Sequence, residues 1–123
     1  MMSDLQCPAR VVLATCDTLP QLASGRYSGV FVAPAVESAA SDLRAASELA
    51  RHAGCEIQRL QDAIDGAKLR RALNELSDVY RGETIVAVVP EAMLREVIGG
   101  ARDCAKPVFV AIDSDGWTVL DAS

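Results

Sequence analysis

Arg81-Gly82-Glu83-Thr84-Ile85-Val86-Ala87-Val88-Val89-Pro90-Glu91-Ala92-Met93-Leu94-Arg95 decides the fold of this chain. Thr84 to Val89 is a short apolar run without alternation, as a strand covered on both faces should be. Pro90 then supplies a pre-set φ suited to starting a helix. Beyond it the period changes. Met93, Leu94, Val97, Ile98 and Ala101 share one helical face, weakened by Gly99-Gly100. A doubly covered strand that runs straight into a helix is a building unit of an α/β sheet.

The same alternation extends outward in both directions. Arg10-Val11-Val12-Leu13-Ala14 and Gly29-Val30-Phe31-Val32-Ala33 are two more continuous apolar runs. Cys55-Glu56-Ile57-Gln58-Arg59-Leu60 alternates and reads as an outer strand. Pro107 to Ile112 is a fifth strand. Asp113-Ser114-Asp115-Gly116 is a turn signal that folds Trp117-Thr118-Val119-Leu120 back as a hairpin. Between strands, Val36, Ala39, Ala40, Leu43, Ala46, Ala50 and Ala53 form one helical stripe, with Gly54 as C-cap. Leu69, Leu73, Leu76 and Tyr80 form another, stopped by Gly82. The expected fold is an α/β three-layer sandwich, helices on both faces of a mostly parallel sheet, closed by a C-terminal hairpin.

Composition bounds what such a domain can do. At 123 residues, half of them hydrophobic, the chain has one domain's worth of core, spanning 1–123. The formal net charge of -5 and the lack of a Lys/Arg cluster argue against a nucleic-acid partner. No apolar run reaches membrane-spanning length, and Met1 to Pro8 lacks a signal core, so a cytoplasmic location is expected. Cys7, Cys16, Cys55 and Cys104 form no CxxC pair, and His52 is the single histidine. That pattern offers no zinc site. No cofactor is expected.

In open α/β sheets, ligands bind beyond the carboxyl ends of the strands. Three segments lead from such an end into a loop or helix: Ala14-Thr15-Cys16-Asp17-Thr18, Ala33-Pro34-Ala35-Val36-Glu37 and Val89-Pro90-Glu91-Ala92. The candidate crevice residues are therefore Thr15, Cys16, Asp17, Glu37 and Glu91, with Asp62 or Asp65 nearby. Glu37 and Glu91 are expected in first turns of helices. Those turns otherwise attract anions, and a carboxylate there satisfies the dipole internally.

These segments resemble the histidine phosphatase superfamily, the phosphoglycerate-mutase-like proteins. Val11-Val12-Leu13-Ala14-Thr15-Cys16-Asp17-Thr18 is similar to the family's opening Leu-Val-Arg-His-Gly-Glu-Thr. Val32-Ala33-Pro34-Ala35-Val36-Glu37-Ser38-Ala39-Ala40-Ser41-Asp42 resembles its Ser-Ser-Pro-Leu-x-Arg-Ala-x-x-Thr-Ala stretch. Val88-Val89-Pro90-Glu91 stands where the family has Val-Ser-His-Gly, and Lys106 to Leu120 looks like its closing strands. The resemblance implies a minimal member whose chemistry is lost. Ala14 replaces an arginine, Thr15 the nucleophilic histidine, Glu37 the phosphate-binding arginine and Pro90 the second histidine.

The family mechanism implies what those losses mean. A histidine attacks phosphorus while two arginines and a second histidine hold the oxygens. Without the nucleophile the rate falls by orders of magnitude. Without the arginines, charge-assisted bonds to phosphate go too. The expectation is a catalytically inactive, phosphatase-like protein: a binding, regulatory or oligomerisation module. Its partner would be another protein or a second copy, meeting the terminal hairpin edge or uncovered helices.

The rival expectation is an enzyme or sensor with altered chemistry. It would use Asp17, Glu37 and Glu91 on a cationic or metal-bound ligand. The acidic residues lack the dense spacing of a calcium loop, which argues against a metal. Cys16 could serve as a nucleophile only with a lowered pKa, and Asp17 raises it. Arg51-His52-Ala53-Gly54 looks like the family's Arg-His-Gly, but it falls at a helix end, where cations have their own reason to sit. Lys68, Arg70 and Arg71 read as a solvated helix face.

Overall fold

The structure is a computed structural model of the 123-residue chain, and it describes residues 8–22, 26–37, 39–98, 106–113 and 116–120. Cys7, Cys104, Gly99-Gly100 and Ala101 lie outside the described residues. So do Ser114-Asp115 of the expected turn and the side chain of Glu37.

Six strands form one sheet in the order β3-β2-β4-β1-β5-β6. They are β1 (Ala9–Ala14), β2 (Gly29–Val32), β3 (Ile57–Arg59), β4 (Thr84–Val88), β5 (Val108–Asp113) and β6 (Gly116–Leu120). The helices are α1 (Pro34–Glu37), α2 (Ala40–Ala53), α3 (Gly66–Val79) and α4 (Glu91–Ile98). A 3₁₀ helix, Cys16–Leu22, follows β1. The run Thr84–Val88 thus becomes an interior strand, parallel to β1 on one side and β2 on the other. Its carbonyls and amides are used on both edges, which suits a sequence that is apolar and buried from Ile85 to Val88.

The sheet is mixed, where a mostly parallel one was expected. Three neighbouring pairs run parallel and two antiparallel. The terminal hairpin accounts for the β5–β6 pair only. The other arises because β5 pairs with β1 from Val108 opposite Leu13 to Ile112 opposite Ala9. The chain therefore re-enters the sheet at the end where β1 leaves it, and β5 descends against β1.

Strand parity divides the core between two faces. Val11, Leu13, Ile85, Ala87, Val110 and Ile112 pack with Leu69 and Leu73 of α3 and Leu94 of α4. Val12, Ala14, Val30, Val32, Val86 and Val88 pack with Ala46, Leu49 and Ala50 of α2 and Leu19 and Leu22 of the 3₁₀ helix. Each of these large side chains, fully buried, contributes roughly 1.5–3 kcal/mol. Trp117 of β6 anchors the far end of the sheet to α3. Its indole N–H donates to Asn74 Oδ1, and the Arg70 guanidinium lies 4.6 Å from its ring centroid.

The long stripe from Val36 to Ala53 is two helices. Ala39 is extended, at φ -103° and ψ 111°, so α1 is a single turn and α2 starts afresh. The break leaves Val36 buried at the strand end while Ala46, Leu49 and Ala50 reach the sheet. Ala40, on the expected stripe, is exposed instead. At the other end Gly54 caps α2 as expected. Its φ is +80°, and its N–H reaches the carbonyls of Ala50 and Arg51. Helix α3 begins at Asp65, whose Oδ1 accepts from the Lys68 amide at 2.8 Å. Among the described residues, no helix is long and apolar enough to cross a membrane.

Candidate functional site

Three strand ends are laced together where the site was expected. The Val89 amide donates to the Ala14 carbonyl at 2.9 Å, and the Ala33 amide donates to the Val88 carbonyl at 3.0 Å. From this seam the chain departs three ways: through Thr15 into the 3₁₀ helix, through Ala33 into α1, and through Pro90 into α4. Between the departures lies an open crevice of about 270 Å³.

The structure brings Thr15, Cys16, Asp17, Pro90 and Glu91 to this crevice, with Ala35, Val36 and Val89 as its apolar floor. Ala14 is not part of it. Its side chain is fully buried among Val12, Leu19 and Leu22 on the α2 side of the sheet. Asp62 and Asp65 are elsewhere too. Asp65 caps α3, and Asp62 borders a depression on the outer side of that helix. Glu37 is the last residue of the single turn α1, so it lies in a first turn as expected, but in a helix of one turn only.

Thr15 is held by its backbone. Its N–H donates to Thr18 Oγ1 at 3.1 Å, and the Thr18 hydroxyl donates back to the Thr15 carbonyl at 3.0 Å. The Thr18 amide reaches the same carbonyl, also at 3.0 Å. This closed loop turns β1 sharply into the 3₁₀ helix and buries both threonines. Pro90 takes the N-cap position of α4, where its carbonyl accepts from the Leu94 amide at 3.0 Å. That is one residue earlier than the first helical position. Glu91 follows in the first turn, where the helix dipole favours an acid. Its Oε2 accepts from Arg95 Nε at 3.0 Å and Nη2 at 2.9 Å. Both side chains are about half exposed, so the pair adds little to stability.

Sequence reasoning missed one crevice residue, Asp42. It comes from the first turn of α2 and lines the crevice beside Cys16 and Asp17. The Cys16 thiol donates to the Asp42 carboxylate. Burial pushes the Cys16 thiol up, and the Asp42 hydrogen bond and charge, then the Asp17 charge, push it further, from 9.0 to about 12. A thiol so placed stays protonated at neutral pH and is a poor nucleophile.

The sole histidine does not face the crevice. His52 is exposed in the last turn of α2 and borders a neighbouring groove with Leu19, Pro20 and Leu49. No histidine, arginine or lysine is among the described residues lining the crevice. Among the described residues, no group of three or more histidines, cysteines and acids is placed to hold a metal ion.

No protein-family model matches this chain, and no curated protein matches it in sequence. Among solved structures, it is similar to a phosphoglycerate mutase from Plasmodium falciparum. The TM-score is 0.57 at 10% sequence identity, over 94% of this chain and 91% of that chain. The likeness is one of fold.

Proposed function

We propose that this protein is a phosphatase-like fold without phosphatase chemistry, acting in the cytoplasm as a binding, regulatory or oligomerisation module. The observation that carries the reading is the sign of the crevice. Asp17, Asp42 and Glu91 stand at the strand ends where a phosphate would otherwise be received. The likeness in fold to a phosphoglycerate mutase supports the architecture on which this reading rests. The reading itself takes Ala14, Thr15, Glu37 and Pro90 to stand where the resemblance puts arginine and histidine.

Phosphoryl transfer needs a nucleophile and fixed positive charge on the transferred oxygens. Thr15 has its backbone locked, and no histidine is among the described crevice residues to serve as its base. Cys16 is held as a thiol. A carboxylate about 6 Å from a phosphate charge, at an effective dielectric of about 20, repels it by about 3 kcal/mol. Two such contacts suffice to remove useful affinity, since 1.4 kcal/mol is already tenfold.

The arrival of Asp42 beside Asp17 favours a second reading, in which the crevice takes a cationic ligand as a sensor or altered enzyme. An aryl phosphate assay, with and without magnesium, separates the readings. The first expects no turnover in either condition. Turnover abolished by Glu91→Ala or Asp42→Ala would support the second and remove the first.

A further inference from the structure

The outer face of α3 carries a pattern that the crevice does not use. Ile64 and Val79 are the exposed large hydrophobic residues among the described residues, at 62% and 69% exposure. They flank α3, one just before its cap and one at its last residue. At 100° per residue, Lys68, Ala72, Glu75 and Val79 fall on one side of this helix, turned away from buried Leu73 and Ser77. Lys68 and Glu75 are exposed, and neither makes an ion pair among the described residues. Ile64, Lys68, Ala72 and Glu75 also border a shallow depression of about 270 Å³ on this face.

The pattern is symmetric about its own centre. Ile64 and Val79 lie equally far from the midpoint between Arg71 and Ala72. Lys68 and Glu75 do as well, with opposite charges. At these four positions the face is complementary to itself when turned by a two-fold axis, with exposed Arg71, which borders the same depression, close to that axis. We propose that a second copy of this chain docks there, α3 antiparallel to α3 about an axis near Arg71 and Ala72. Ile64 of each copy then meets Val79 of the other, and Lys68 meets Glu75 twice. An unrelated partner would have no reason to match both the spacing and the sign reversal.

The occupant also fits in size. Fourteen helical residues span about 20 Å, so one such pair covers less than a standard interface of about 1,600 Å². The expected dimer is accordingly weak, with a Kd on the order of 100 µM. The proposal rests on the reading that the protein acts by binding. Phosphate-ester turnover would remove that reading and leave the dimer standing. A monomer would remove the α3 face and leave the reading standing.

Sedimentation equilibrium on the full chain, from about 10 µM to about 1 mM, tests the pairing. The unmodified protein should approach dimer mass at the top of the range. K68E places acid against Glu75, and E75K places base against Lys68, so each should raise Kd about tenfold. The K68E/E75K double variant restores both pairs and should return Kd to within about threefold. An equimolar mixture of the two single variants should associate more tightly than either alone. Amide shifts of the unmodified protein that move with concentration, confined to this face of 64–79, give the same answer without any variant. A monomer throughout, or association indifferent to these reversals, would overturn the proposal.

Discussion

The thiol at the mouth of the crevice offers the sharpest quantitative prediction. Cys16 should be nearly inert toward disulfide reagents at neutral pH, and Asp42→Asn should wake it. Raising a thiol from 9.0 to about 12 cuts its thiolate fraction near neutrality by about a thousandfold. A thiolate of higher pKa is also more nucleophilic, with a slope of about 0.4–0.5, which restores about 20-fold. The net expectation is a rate about fifty times below that of an ordinary exposed thiol. Removing the Asp42 charge lowers the pKa, and each unit recovered raises the rate about three- to fourfold by the same two terms. Burial is the largest cause and remains, so no carboxylate change returns Cys16 to the ordinary rate. Asp17→Asn acts in the same direction but less, since the Asp17 charge is the smallest contribution. The assay is exchange with an aromatic disulfide, followed by absorbance from about pH 7 to pH 11 on Cys7→Ser/Cys55→Ser/Cys104→Ser protein. The unmodified crevice should show a rate still climbing at the alkaline limit. A plateau near pH 9, or a larger acceleration from Asp17→Asn than from Asp42→Asn, would refute this account of the site.

Two further outcomes test the scaffold beneath it. Leu73→Ala should lower the urea-unfolding free energy by about 2–5 kcal/mol, because Leu73 is fully buried between α3 and the sheet. Asp65→Ala should lower it by about 1 kcal/mol in the same measurement, through loss of the cap on the Lys68 amide. Neither change should alter the Cys16 rate profile, since neither residue borders the crevice.

The strands were legible because their residues leave little choice. A run such as Val11-Val12-Leu13-Ala14 has no polar position to turn to water, so it must be covered on both sides. The same reasoning located β2, β4 and the terminal hairpin within about a residue at each end. The direction of β5 was not legible. Its apolar run has the same composition whichever way it points, and only the path of the chain between α4 and Val108 decides. Helix periodicity misled at Ala39 for a related reason. A stripe of alanines reads equally well through a break, because alanine favours the helix without marking its ends.

That boundary error hid the most informative residue of the site. A helix taken to begin near Val36 has Glu37 in its first turn and leaves Asp42 in its interior. Begun at Ala40, it puts Asp42 in the first turn, aimed at the strand ends and at Cys16. The signal was present in Ser41-Asp42, an acidic helix opening after a strand, but the uninterrupted stripe outweighed it. The gathering of Asp17 and Glu91 was legible, since both follow strand ends directly. Asp42 was not, because 26 residues and a helix break separate it from Cys16.

The most direct measurement is the titration of backbone amide resonances with inorganic phosphate and with vanadate. The account predicts that Thr15, Cys16, Asp17 and Glu91 do not shift as either anion rises through the millimolar range. Saturable shifts at those residues, with a millimolar or tighter dissociation constant, would contradict it and return the crevice to phosphate chemistry.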